Sequence, residues 1–184
     1  MSYATRYSEY MENIDIIKIN NKILIELLSK LEINSSILKQ QITFLCYEWE
    51  EDNLIIFTNS KKKIVKDWLK LINQVSNNSI SIVGDVFVLE DMKNIFPEEI
   101  GVNIMFKNSY GKTPYNYEGL SEVKKFSQMF IIGVAKGSRT LQELSDLSLP
   151  FQDVLPEGIE TNFLLSIDEG IEDEGNYICL MIKT

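Results

Sequence analysis

Histidine is absent from this sequence of 184 residues, and its absence excludes several classes of catalytic site. Without an imidazole the chain cannot form a Ser-His-Asp or Cys-His centre, an HExxH zinc site or a histidine-based nuclease centre. The chemistry that remains uses carboxylates, lysine or tyrosine, or a magnesium ion held by acidic side chains. We therefore predict no catalytic residues and expect the protein not to be an enzyme.

Cysteine is scarce, and long apolar runs are missing. Cys46 and Cys179 are far apart and show no CxxC spacing, so we predict no metal site and no cofactor. Two lone cysteines in apolar runs are typical of reduced, buried thiols. No run approaches the roughly 18 apolar residues of a membrane-spanning helix, and the charged N-terminus lacks the apolar region of a secretion signal. The expected location is the cytoplasm, with no membrane contact.

The composition is that of an ordinary globular protein, with 45% apolar and 24% charged residues. At about 150 residues per domain, the length predicts a single domain over residues 1–184. Apolar residues at helical spacing predict helices after Asn20 and after Ser60. Two hairpins, over 41–58 and 162–182, interrupt any strict alternation of strands and helices. We predict an α+β fold: a mixed or mainly antiparallel sheet with helices packed on one face.

Negative charge is concentrated near the C-terminal end. The chain has 18 basic and 27 acidic residues, and the ten acids and one lysine after residue 139 account for the whole net charge of −9. Half of those ten acids lie in residues 168–174, here named the acidic segment: Asp168, Glu169, Glu172, Asp173 and Glu174. Such a segment either keeps a hairpin tip soluble or meets a basic partner surface. A calcium site is disfavoured because the order of residues does not match an EF-hand.

Three tyrosines occur in residues 108–117, here named the tyrosine segment: Tyr110, Tyr115 and Tyr117. Tyrosine combines a large contact area with a polar tip and is enriched at binding hot spots. The same rings would also serve to anchor the loop to its own domain. As the partner-binding residues we predict these three tyrosines together with the five acids of the acidic segment.

Two basic stretches are candidate anion sites. Lys61, Lys62 and Lys63 begin a predicted helix, where free amide groups favour an anion. The favoured interpretation is instead that these lysines are solvated and pair loosely with acids of the preceding hairpin, namely Glu48, Glu50, Glu51 and Asp52. The stretch 136–140 lies between a predicted strand and helix, but its single glycine makes no phosphate-binding fingerprint, which favours an ordinary connector capped by Ser138 or Thr140. So short a basic cluster does not predict direct nucleic-acid binding.

In size, acidity and cytosolic composition the chain is similar to the small immunity proteins that protect bacteria from their own nuclease toxins. The function these features favour is a protein-interaction module, an acidic inhibitor of the immunity type. It would neutralise a basic enzyme or toxin, such as a nuclease domain, by occluding it. Two alternatives stay open. One is a non-histidine enzyme or small-ligand-binding protein that uses carboxylate, lysine or tyrosine groups, and the other is a structural or regulatory subunit.

Overall fold

One sheet of eight strands organises the described part of the chain. The structure is a computed structural model that describes residues 17–40, 42–51, 53–76, 81–83, 95–97, 99–108, 118–123, 125–135, 140–146, 148–167 and 175–182. The strands are β1 (Ile17–Lys18), β2 (Thr43–Glu50), β3 (Asn53–Thr58), β4 (Ser81–Val83), β5 (Ile100–Asn108), β6 (Phe126–Ala135), β7 (Glu160–Ile167) and β8 (Gly175–Ile182). Their order across the sheet is β1-β3-β2-β5-β8-β6-β7-β4.

Four α-helices and two 3-10 helices are described. They are α1 (Asn21–Lys30), α2 (Lys62–Ser76), α3 (Leu141–Asp146) and α4 (Leu149–Gln152), with 3-10 helices at Ser35–Lys39 and Glu118–Glu122. The side chain of Asn20 begins α1 by accepting hydrogen bonds from the backbone N–H groups of Lys22 and Ile23. Within the described ranges, no helix is both long and apolar enough to cross a membrane.

The predicted fold class is confirmed. Among the described strands, only β1 with β3 and β6 with β7 pair in parallel, and all other neighbours are antiparallel. The sheet is therefore mixed and mainly antiparallel, and helices pack against it. The first predicted hairpin is present as well: β2 and β3 pair antiparallel, with Glu50 opposite Asn53 across the turn.

Helices cover both faces of the sheet rather than one. Helix α1 packs in a cluster with alternate residues of β2, namely Phe44 and Cys46, whereas α2 packs in a second cluster with Leu45 and Tyr47. Because successive side chains of a strand point to opposite faces, these two clusters lie on opposite sides of the sheet. The sequence does carry a signal for this arrangement, because a strand buried on both faces has an almost continuous apolar run, as in residues 54–57 of β3, in place of alternation.

The second predicted hairpin, over 162–182, is wrong. Strands β7 and β8 do not pair with each other, because β6 lies between them. Strand β6 pairs in parallel with β7 and antiparallel with β8. Sequence proximity favours pairing of consecutive strands, but β8 instead fills the gap between β5 and β6, which gives it two partners. This central position of β8 joins the two halves of the sheet.

Candidate functional site

The carboxyl ends of five strands meet at one edge of the sheet. The pairings give β1, β3, β5, β6 and β7 the same direction and β2, β4 and β8 the opposite one. We name the edge where these five strands end the carboxyl edge. In open parallel sheets, ligands bind outside the carboxyl ends of the strands, and this mixed sheet also brings five such ends to one edge.

The predicted partner-binding segments are both attached to this edge. The tyrosine segment leaves β5 at Asn108, which pairs with Asn176 at the start of β8. The acidic segment follows β7 after Ile167 and precedes β8 at Gly175. Strand β8 is thus the immediate neighbour of β5 where the two segments attach. The predicted residues themselves lie outside the described residues: Tyr110, Tyr115, Tyr117, Asp168, Glu169, Glu172, Asp173 and Glu174.

The connector after β6 belongs to the same edge. Ala135, the last residue of β6, pairs with Ile167, the last residue of β7. The predicted connector is the stretch 136–140. Its residues 136–139 lie outside the described residues, so the prediction is tested only at Thr140. Its hydroxyl accepts a hydrogen bond from the Glu143 N–H at 3.2 Å, and the Glu143 carboxylate accepts one from the Thr140 N–H at 2.8 Å. This capping box at the start of α3 confirms Thr140 as a helix cap.

The predicted pairing of the lysine cluster with Glu50 and Glu51 of the β2–β3 hairpin is wrong. Asp52 lies outside the described residues, and the pairing with Glu48, which is opposite Ile55 in mid-strand, stays a prediction. Lys61, Lys62 and Lys63 are exposed and follow the end of β3 at the carboxyl edge. The hairpin turn after Glu50 lies at the other end of β3, and a strand of this length spans about 20 Å. Since Lys61 and the acidic turn lie at opposite ends of one strand, their side chains cannot meet. The side chains of Lys61, Glu50 and Glu51 are all exposed to solvent.

A groove lies at the carboxyl edge beside this lysine cluster. Its volume is about 1300 Å³, and it opens between the start of α1, the first 3-10 helix and the start of α2. Polar residues line much of it: Asn21, Asn34, Ser35, Ser36, Gln40, Thr43, Asn59 and Ser60. Its apolar walls are Ile25, Leu38, Ile42 and Ile64, and its charged residues are Lys39 and Lys61. None of the described residues that line the groove is acidic.

Hydrogen bonds fix the walls of this groove. The side chain of Asn59 accepts from the Phe44 N–H at 2.9 Å and donates to the Ile42 carbonyl at 2.7 Å. The Gln40 side chain accepts from the Gly119 N–H at 3.2 Å. These bonds join the loop after β3 and the second 3-10 helix to the segment before β2. Sequence reasoning missed the groove because its lining comes from separate stretches that only the sheet pairing brings together.

Acidic side chains gather at the opposite edge of the same half-sheet. Glu50, Glu51 and Glu99 are exposed there, and the Glu99 carbonyl accepts a hydrogen bond from the Trp49 N–H at 2.7 Å. Across the described ranges, no three Cys, Asp or Glu side chains come together in a group that could hold a metal ion. The lysine cluster and these three glutamates therefore lie at opposite edges of the same half-sheet.

The two cysteines lie on different strands and cannot form a disulfide. Cys46 in β2 pairs with Val102, and Cys179 in β8 pairs with Met105, so β5 separates them. Their Cα atoms are therefore at least about 9 Å apart, whereas a disulfide needs less than about 7 Å. The Cys46 side chain is buried, and burial raises the pKa of its thiol. A neutral, packed thiol at Cys46 follows from this environment.

Comparison with known proteins assigns no family. No family model matches the sequence, and no curated protein matches it. Among solved structures, the chain is similar to a subunit of an empty FtsZ dimer from M. jannaschii, with a TM-score of 0.39 and 13% sequence identity. That match covers 68% of this chain and 40% of the other, so this chain spans less than half the length of the structure it matches.

Proposed function

We propose that this protein is an interaction module that binds a basic protein through the acidic and tyrosine segments. The observation that carries the proposal is the pairing of Asn108 with Asn176, which places the attachment points of the two segments on neighbouring strands at one edge. Because both segments begin at the carboxyl edge, their acidic side chains and tyrosines could form a single continuous docking surface. A partner that bound across this edge would contact both segments at once.

The two segments supply different parts of the binding energy. A concentration of carboxylates attracts a cationic surface over about a Debye length and thereby raises the rate of encounter. Tyrosine rings supply buried contact area after docking, which slows dissociation. The combination fits an inhibitor of the immunity type, which occludes a basic enzyme or toxin such as a nuclease domain.

The experiment begins with affinity capture of a stoichiometric basic partner from the source organism, followed by titration with the purified partner. The triple variant Glu172→Lys, Asp173→Lys, Glu174→Lys is expected to weaken binding at least tenfold, which corresponds to about 1.4 kcal/mol. Its affinity is also expected to depend less on salt between about 50 and 300 mM, because fewer charge contacts remain to be screened.

The matched control makes the same change in net charge at the opposite edge of the sheet: Glu50→Lys, Glu51→Lys, Glu99→Lys. It is expected to change the affinity less than about threefold, since these positions lie far from the attachment points of the acidic segment. Equal losses in the two triple variants would show that net charge alone matters. Capture of no basic partner, or unchanged affinity in the first variant, would refute the proposal.

The open alternatives make different predictions. A small-ligand-binding protein or an enzyme would gain thermal stability from its ligand by mass action, whereas an interaction module would gain it from its protein partner. Melting-temperature measurements against nucleotides, sugars and divalent cations, alongside the captured partner, separate these functions. A rise in Tm with a small molecule and none with any protein would favour the alternative.

A further inference from the structure

The groove beside the lysine cluster has the features of a peptide-binding site. Its volume of about 1300 Å³ exceeds the roughly 300–1000 Å³ of typical small-molecule pockets, and it is open to solvent rather than enclosed. Four aliphatic side chains line it: Ile25, Leu38, Ile42 and Ile64. Among the described residues, Ile25 is one of three large apolar side chains that are exposed, with 44% of its surface accessible. An exposed aliphatic side chain within a groove suits an apolar residue of a ligand.

The charge of the groove indicates the sign of its ligand. Lys39 and Lys61 line it, both are exposed, and Lys62 follows at the start of α2. No acidic residue is among the described lining residues, although the chain carries a net charge of −9. A ligand with carboxylates would meet unopposed lysines here, whereas a basic ligand would meet like charge.

Other anionic ligands fit the groove less well. On the side of α1, the first amide groups, which a phosphate would use, already donate to the Asn20 side chain, and the Ser36 N–H donates to Asn34. At the start of α2, the Ile64 N–H donates to the Lys61 carbonyl. Single-stranded nucleic acid binds through aromatic stacking platforms, yet the described lining includes no aromatic residue. Aliphatic walls with lysines at the rim match a peptide that alternates acidic and aliphatic side chains.

We propose that this groove binds a segment of a partner protein that carries both acidic and aliphatic residues. The aliphatic side chains of the segment pack between Ile25 and Ile64, and its carboxylates approach Lys39 and Lys61. The described residues that line the groove are not among the acidic and tyrosine segments proposed above to bind a basic partner. This peptide site therefore stands or fails independently, because its test uses synthetic peptides and not the basic partner.

In the test, a displayed library of random peptides is selected for binding to the immobilised protein. The affinity of the best peptide, made synthetically, is then measured by fluorescence anisotropy. Selected sequences are expected to combine Asp or Glu with Leu, Ile or Val. The double variant Lys39→Glu, Lys61→Glu is expected to weaken binding at least tenfold. Exposed Ile25→Glu is expected to weaken it by a similar factor without loss of folding.

The matched control Lys30→Glu, Lys70→Glu reverses two exposed lysines on α1 and α2 that do not line the groove. It is expected to change the affinity less than about twofold, because salt screens charges at that distance. Equal losses in the two double variants would overturn the proposal. The proposal would also be overturned if the selection enriched basic or purely polar peptides, or no peptides at all. Tighter binding of a single-stranded oligonucleotide at Lys39 and Lys61 would overturn it as well.

Discussion

The close approach of the Tyr47 side chain leaves room only for glycine at position 101 of β5. These residues pair across β2 and β5, and a Cβ atom at position 101 would overlap the ring and hydroxyl of Tyr47. The Tyr47 ring is buried and packs edge-on against Phe96, with ring centroids 5.0 Å apart. It therefore has little room to move away.

We expect Gly101→Ala to lower the free energy of unfolding by about 1–3 kcal/mol, because it overpacks this site. In a Tyr47→Leu background the same change should cost less, since the overlapping atoms are gone. Urea denaturation of the two single variants and the double variant measures this coupling. Strictly additive effects would show that the contact does not set the cost.

The ion pair between Glu32 and Lys125 gives a prediction about pH. The Lys125 ammonium donates to the Glu32 carboxylate at 2.6 Å, and this hydrogen bond and charge lower the pKa of the carboxyl below its ordinary value of 4.5. A lowered pKa in the folded state means that the contribution to stability is complete above pH 4.5 and is lost as the pH falls through the lowered pKa. Both side chains are largely exposed, so this contribution is small.

We expect the Glu32 carboxyl resonance to titrate below pH 4.5 in the native protein and to return to about that value in Lys125→Met. NMR titration of the carboxyl carbon measures both values. The control Lys30→Met removes another exposed lysine and should leave the titration of Glu32 unchanged. A Glu32 pKa that is the same with and without Lys125 would contradict the assignment.

At the scale of elements, a single side chain determines where α1 begins. The Asn20 oxygen accepts from the Lys22 N–H at 3.1 Å and from the Ile23 N–H at 3.3 Å. Asn20→Ala should therefore lower the free energy of unfolding by about 0.5–2 kcal/mol, whereas Asn20→Asp should retain most of the stabilisation from the cap. Chemical denaturation measures the change. The neighbouring Asn21→Ala, which removes no cap, should cost less than about 0.5 kcal/mol.

Local elements were predictable from the sequence, but long-range pairing was not. The helix after Asn20, the helix behind Ser60 and the β2–β3 hairpin follow from periodicity, capping residues and a tight turn, which act within a few residues. Which strands pair with β7 and which with β8 depends on competition among strands that are distant in sequence. The apolar sequence of a strand does not specify its neighbours. The two covered faces, by contrast, were predictable, since the continuous apolar run over residues 54–57 is typical of a strand that is buried on both sides.

At the scale of the whole molecule, the sequence led to part of the candidate surface. Clusters of acids and tyrosines are visible in the sequence, but the common edge to which they attach is a property of the sheet. The groove with Lys39 and Lys61 was not predictable, because its residues have ordinary local roles and gain a joint one only after the strands pair. Only the register shows that Glu50 and Glu51 lie at the opposite end of β3 from the lysine cluster.

The central position of β8 predicts a large difference between two proline substitutions. Leu180 pairs with Ile104 on one side and Met129 on the other, whereas Ile82 in β4 pairs with Ser166 at the end of the described strand order. Proline breaks a ladder hydrogen bond and is tolerated only in edge strands. We expect Leu180→Pro to abolish cooperative unfolding and Ile82→Pro to leave a cooperative transition at a lower Tm. Circular dichroism during heating measures both.

The place of β8 also bears on how the chain folds as it is synthesised. Until residue 182 leaves the ribosome, the strands β1, β3, β2 and β5 have no backbone pairing to β6, β7 and β4. Each nascent half then presents to neighbouring chains an unpaired strand edge, on β5 or on β6, that β8 covers in the folded protein. The interval between the synthesis of β5 and that of β8 is thus when misassembly threatens, and chaperone protection would matter most in that interval.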